Sequence, residues 1–452
     1  MLAAYFVDLK NRLIGDNEGD NKEENNVENN KEYDVENEEE NNVENDKVDI
    51  KKEEIKLLNQ GTYGCVFRPG LMCSSKKKNS KYVIKIQNEK ETSKREVEIG
   101  KKILKIKGYE RYYSPVMDNC DIKLEELGNE GEVRRCNFLK QMTDKDMKYE
   151  SNIIRYVGEK TIGQYLQDEG LKISQREKYY NKIVNSYVLL LNGLHKLNKN
   201  NIIHFDLKDT NILHDKVLGR PIIIDYGLSI YKEGIKEKEF DWEENFLIYS
   251  TEYGPWCLDI VLISYIVNNK KEDEDIYKMK ITKKSLLKVL DEYVMRNSSI
   301  KMLSESESKE LKKNSEEYIL ELIKEDDINS KELLLKLVEN IDSWDSYSLS
   351  LTYLYILKSL KLENNEEVDY MKKFKKELKS IIISKPSERK KSNEIKENLL
   401  KELSSIEMKE KRQLINVLEE ELKDEDKKKE RIKEYSNYKL NTLDEIKKLK
   451  KM

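Results

Sequence analysis

The chain has 452 residues, 38% of them charged and 37% hydrophobic, with a formal net charge of −4. That length accommodates about two to three domains of roughly 100–200 residues each, and the near balance of charge leaves no global footprint for nucleic acid. No apolar run approaches the roughly 20 residues of a spanning helix; the longest, Ile260 to Val267, is short and follows Asp259. The opening Met1-Leu-Ala-Ala-Tyr-Phe-Val lacks the basic region and cleavage pattern of a signal peptide, so a soluble, cytoplasmic protein away from membranes is expected. Five cysteines (Cys65, Cys73, Cys120, Cys136, Cys257) occur without C-x-x-C spacing. Such a sparse, odd set predicts reduced thiols rather than a disulfide framework, and a metal site of Cys73, Cys120 and Cys136 is the less favoured reading.

Residues 1–54 form an acidic extension, almost all Asn, Glu, Asp, Lys and Val beyond Asp16. Too little apolar surface is available there to offset the entropy of ordering, which predicts disorder. Folded sequence begins near Ile55 with Leu57-Leu-Asn-Gln-Gly61-Thr-Tyr-Gly64-Cys-Val66-Phe, read as strand, glycine turn, strand. Glycines let backbone amides approach phosphate oxygens, although an ordinary hairpin carries the same pattern. Lys81 to Ile86 is a strand bearing Lys85, and Glu91 to Ile106 is a helix with Val97, Ile99 and Ile103 on its apolar side. Glu96 is the carboxylate assigned to Lys85. Glu98 lies about 200° further round the helix, and Glu91, about 140° away, would serve only if the helix were rotated.

Tyr112 to Lys123 and Arg134 to Met142 are expected to be further strands, Asn152 to Leu166 a linker followed by a helix, and Tyr179 to Leu197 an apolar helix. The most informative stretch follows: Asn201-Ile-Ile-His-Phe-Asp206-Leu-Lys208-Asp-Thr-Asn211, then Pro221-Ile-Ile-Ile-Asp225-Tyr226-Gly227. Two carboxylates, an amide and a lysine at apolar strand ends are the equipment of phosphoryl transfer. One carboxylate accepts the proton of the attacking hydroxyl, the amide and the second carboxylate hold magnesium, and the lysine offsets phosphate charge. Each residue alone reads more readily as a turn, a cap or a solvated side chain. The ordered set is hard to reach by accident.

These motifs resemble those of protein kinases: the loop is similar to H-R-D-L-K-x-x-N with Phe205 in place of Arg, Asp225-Tyr226-Gly227 to D-F-G, and Val83-Ile84-Lys85 to the end of V-A-I-K. Gly254-Pro-Trp-Cys-Leu-Asp259 stands where the family has A-P-E, Trp344-Asp345 resembles the start of its central helix, and Pro386 to Ser392 its P-x-x-R-x-S. The Gln60 to Cys73 and Tyr82 to Gln87 segments look like the serine/threonine kinases of nucleo-cytoplasmic large DNA viruses, which would put the protein in host cytoplasm or a virion.

The resemblance implies an α+β, bilobal protein-kinase-like fold. A β-rich N-lobe would span 55–157 and a helical C-lobe 158–401, the latter with a helical insertion at about 262–340; a charged helical tail would follow at 402–452. It implies ATP and Mg2+ as cofactors and a protein as substrate, and leaves the oligomeric state open. Asp206 would be the base and Lys208 would stabilise the transferring phosphate; Asn211 and Asp225 would hold magnesium. Lys85, positioned by Glu96, would hold the α- and β-phosphates. Gly61, Gly64 and Val66 would cover the nucleotide, and the backbone at Tyr156 and Val157 would meet the adenine. Asp259 and Arg389 would form an ion pair. With Phe205 in the Arg position, activity is expected to be constitutive or partner-controlled. A pseudokinase scaffold is the alternative, favoured by Asn59 at the first loop glycine, by Phe205 and by the altered A-P-E.

Overall fold

The computed structural model describes residues 54–404, except 62–63, 88–89, 142–146, 173–175, 238, 247, 272–273 and 363–368. The acidic extension, apart from Glu54, and the charged tail beyond Ser404 lie outside the described residues. An N-terminal five-stranded antiparallel sheet precedes a larger helical region, an α+β architecture.

The sheet consists of β1 (Lys56–Gly61), β2 (Gly64–Arg68), β3 (Tyr82–Gln87), β4 (Val116–Lys123) and β5 (Lys148–Arg155), in the order β1-β2-β3-β5-β4. Alternation along β3 sends Ile84 and Ile86 into a core with Phe67, Ile122 and Ile153. It turns Lys85 and Gln87 the other way, where both side chains reach Glu96 on helix α1 (Lys90–Ile103). Gly64 sits where β2 crosses β3, and a Cβ there would come within 2.1 Å of the Ile86 carbonyl oxygen.

Two expectations for this half are corrected. Residues 134–141 are not a strand: Glu130–Arg134 is a short helix and Leu139–Gln141 a single 3-10 turn. Asn129 caps the helix, its side chain accepting from the Glu132 N–H at 3.2 Å, and glutamates fill the first turn, as a helix start favours. Val133, Cys136 and Leu139 then recur every third residue and are buried, a period that no strand gives. The cysteines are not all reduced either. Cys65 is bonded to Cys136 and Cys73 to Cys120, across 71 and 47 residues; Cys257 alone is a buried thiol. The partners meet only once the sheet and the short helix have packed, so linear spacing carries no trace of them.

The helical region contains α2 (Ile162–Lys172), α3 (Arg176–Lys199), α4 (Leu258–Asn268), α5 (Lys283–Arg296), α6 (Glu305–Leu322), α7 (Ser330–Leu337), α8 (Trp344–Ser359), α9 (Asp369–Ile383) and α10 (Ser392–Ser404). Helix α8 is buried all round from Trp344 to Leu354, the mark of a helix at the centre of a domain. Two of its hydroxyls bond within the helix, Ser350 and Thr352 donating to the carbonyls of Ser346 and Ser348 at 2.7 and 2.9 Å, while Ser348 also donates to the Pro255 carbonyl at 2.6 Å. Within the helical insertion expected at about 262–340, Lys280 to Leu337 forms α5, α6 and α7, with a small sheet pairing Lys280–Thr282 with Asp327–Asn329. Beside it, Arg389 Nη1 lies 3.1 Å from Asp259 Oδ2, and both side chains are buried.

Candidate active site

The site is assembled from β3, α1, and two loops that leave short strands. Lys85 Nζ donates to Glu96 Oε2 at 3.0 Å and to Asp225 Oδ1 at 2.9 Å, joining the sheet to a loop 140 residues away. Glu96 is almost fully buried, and Gln87 Nε2 at 2.6 Å and Asn152 Nδ2 at 3.4 Å also donate to it. Glu98 and Glu91 face outward, the latter paired with Lys94. Burial works against the Lys85 charge, but the Asp225 and Glu96 carboxylates outweigh it and raise the ammonium pKa. Burial likewise pushes the Glu96 carboxyl up against the pull of Lys85. Desolvation raises the Asp225 carboxyl, but the Lys85 ammonium outweighs it and holds the carboxyl down at about 2.

The loop carrying Asp206 is anchored on the N-terminus of α8. Asp345 Oδ2 accepts from the His204 N–H at 2.7 Å and Oδ1 from the Phe205 N–H at 2.9 Å. Phe205 adopts a left-handed backbone, φ +69°, and so does Asp225, φ +64°; side chains other than glycine visit this region rarely and at a cost. The Phe205 ring fills a buried pocket among Phe246, Trp256 and Trp344, and its carbonyl accepts from Trp256 Nε1 at 3.1 Å. The two loops are tied together where the Ile224 N–H donates to the Asn211 carbonyl at 3.0 Å and His204 Nε2 bonds the Ile224 carbonyl at 3.0 Å.

Both oxygens of Asp206 are engaged. Oδ2 accepts from Lys208 Nζ at 2.9 Å and from Asn211 Nδ2 at 3.1 Å, and Oδ1 accepts from the Tyr253 hydroxyl. Lys208 also donates to Tyr253 at 3.2 Å. The sequence reading missed Tyr253, Gln87 and Asn152. Gln87 carried a signal, since it lies two residues after Lys85 on the same strand face. Tyr253 carried none beyond its place among the hydroxyls of the segment after Asp225.

Of the other predicted positions, Val66 is directly opposite Lys85 in the β2–β3 register, and Gly61 has open space where a Cβ would be. Tyr156 turns its ring under the Arg68 guanidinium at 3.9 Å, while its N–H is committed to the Lys81 carbonyl at 2.9 Å. Val157 beside it is buried. Lys85, Glu96, Asp225, Asp206, Lys208 and Asn211 are thus bonded into two adjoining networks, joined where Ile224 meets Asn211.

Among the described residues no three His, Cys, Asp or Glu side chains cluster as a metal site, and no helix is long and apolar enough to cross a membrane. No family model matches the chain, and no curated protein matches it.

Proposed function

We propose that the chain is a protein serine/threonine kinase that transfers the γ-phosphate of ATP to protein hydroxyls, similar to the kinases of large DNA viruses. The observation that carries this reading is the Lys85–Asp225 ion pair. A largely buried lysine that bridges the buried Glu96 and the half-exposed Asp225, the latter next to the Asp206–Asn211 loop, is weak evidence for a stabilising role, because desolvating the Lys85–Glu96 pair can cost more than it returns, and it marks a candidate functional site.

The residues fit the cofactors. Asp225, ionised and 44% exposed, and Asn211, an amide whose nitrogen is turned to Asp206, offer the one or two oxygen ligands that magnesium takes from a protein when phosphates and water complete its shell. Lys85, kept in register by Glu96, would meet the α- and β-phosphates. Bound ATP and magnesium would supply the phosphoryl group and offset its charge.

The chain's own residues then have separate tasks. Asp206 accepts the proton of the acceptor hydroxyl, which takes the place of a donor now bonded to it. Lys208 turns from Asp206 toward the transferring phosphate and offsets its charge. Asp345 keeps the loop from shifting by holding two of its N–H groups. The test is transfer of label from γ-labelled ATP with magnesium to a basic protein, comparing wild type with Asp206→Asn. Label on serine or threonine that is lost in the variant supports the reading; no transfer by folded wild type, even with added cell lysate, refutes it and favours a scaffold.

A further inference from the structure

Glu96 is only as well placed as the helix that carries it, and the residue before it on α1 does a different job. Arg95 Nη2 donates to the Glu244 carboxylate at 2.8 Å and to the Glu244 backbone carbonyl at 3.0 Å. Glu244 belongs to the single helical turn Trp242–Asn245, capped by Asp241, whose side chain accepts from the Glu244 N–H at 2.8 Å. The turn is seated by its first residue, Trp242, and by Phe246, which follows it. Trp242 is buried with its Nε1 2.9 Å from the Tyr277 hydroxyl, and Phe246 stacks on it at 5.7 Å. Phe246 in turn meets the Phe205 ring edge-on at 5.6 Å, and Phe205 is the residue before Asp206. A continuous path results, running from Lys85 through Glu96 and Arg95 to Glu244, then through Phe246 and Phe205 to Asp206. Elsewhere α1 approaches residues 227–231: Lys102 sits over the Tyr231 ring at 3.4 Å, and Gly227 lies so close to the helix that a Cβ on it would come within 2.7 Å of Thr92 Cγ2.

We propose that Arg95 and Glu244 are positioning residues. They clamp α1 onto the 242–246 turn and so hold Glu96 against Lys85 with a charge the chain supplies itself. The proposal rests on the kinase reading for its consequence in catalysis, but not for the clamp. A charge pair of this kind acts through geometry. Arg95 is 15% exposed and Glu244 54% exposed, so the pair adds little to global stability, whereas rotation of α1 would carry Glu96 off Lys85.

The experiment uses the full chain with Glu244→Gln, Glu244→Arg, Arg95→Glu and the exchanged pair Arg95→Glu/Glu244→Arg. Hydrogen exchange of the α1 amides and the kcat and KM of phosphate transfer are measured together with melting. The expected result is a roughly fivefold faster exchange and a roughly fivefold lower kcat in each single variant, with KM for the protein substrate unmoved. The exchanged pair should recover most of both, as a direct charge contact requires. Wild-type exchange and turnover in Glu244→Arg would overturn the proposal, as would an exchanged pair no better than the worse single variant while melting is unaltered. If wild type transfers no phosphate, the kinase reading fails on that result, and the exchange data alone decide the clamp.

Discussion

Replacing Lys85 by Met separates what the buried charges do for folding from what they do for chemistry. The methionine keeps the volume and removes the ammonium that stands 3.0 Å from Glu96 and 2.9 Å from Asp225. Asp225 can turn to water, but Glu96, 1% exposed, cannot. Leaving one carboxylate buried without its cation costs about 3–5 kcal/mol. At roughly 2.1 cal/mol/K per residue over about 350 folded residues, that is a fall in melting temperature of about 4–7 °C. The loss depends on pH. Without Lys85, burial holds the Glu96 carboxyl above its unfolded value, so its folded form is neutral at acid pH and stability is lost as pH rises through the folded pKa. The variant should therefore lie closest to wild type near pH 4 and furthest from it at pH 8. Adding Glu96→Gln removes the stranded charge, and the double variant should regain most of the stability in urea titrations. Phosphate transfer should fall roughly a hundredfold or more in both variants, because neither restores a cation for phosphate. A Lys85→Met protein as stable as wild type at pH 8 would refute the electrostatic account. Transfer recovered by the double variant would refute the role given to Lys85.

Two other sites give independent tests. His214 is buried and stacked on Tyr165 at 3.4 Å, and burial lowers its pKa to about 4 despite Asp215 and Glu169 nearby. A lowered folded pKa means that stability is full above about pH 6.5 and lost as pH falls toward 4, so wild type should lose about 3 kcal/mol more than His214→Gln between pH 7 and pH 4; equal losses in urea titration would show that the ring is not held neutral. Arg389→Met strands the buried Asp259 and should cost about 3–5 kcal/mol, most of it returned by adding Asp259→Asn, since Tyr318 and Asn340 still bond that side chain. An undiminished melting temperature in the single variant would rule out a structural ion pair there.

The parts of the site that could be read from sequence were those governed by a period. Helical arithmetic set Glu98 aside and left Glu91 open only for a rotated helix; in the structure Glu96 is the one that bonds Lys85. The spacing from Asp206 to Asn211 is that of one tight loop, and their side chains are in contact. Asp259 and Arg389 could be paired because each lies in a short motif with a fixed place in the resemblance. What escaped was set by packing between remote segments. Cys65 and Cys136 meet through the sheet, and Tyr253 reaches Asp206 because Trp256 and Asn297 hold its ring and its carbonyl. Residues 134–141 misled because the apolar positions of a short capped helix and a 3-10 turn were read without weighing Asn129 as a cap.

Backbone strain offers a separate line of argument about where the site lies. Among the described residues, five other than glycine have positive φ: Lys76, Asn201, Phe205, Asp225 and Lys361. Lys76 and Lys361 are exposed, and Asn201 ends α3, a place where an asparagine in this conformation is ordinary. Phe205 and Asp225 are different: each conformation costs about 1–3 kcal/mol and lasts only where neighbours over-determine it. At Phe205 the N–H is held by Asp345, the carbonyl by Trp256, and the ring by three aromatics. At Asp225 the side chain is held by Lys85, and the preceding residue is pinned to Asn211 and His204. The fold thus spends its packing on two adjacent turns, and in doing so aims Asp206 and Asp225 from opposite loops. Glycine at either position would relieve the strain at no steric cost, but it would also release the turn. That a phenylalanine and an aspartate stand there instead argues that orientation, more than stability, governs these two residues.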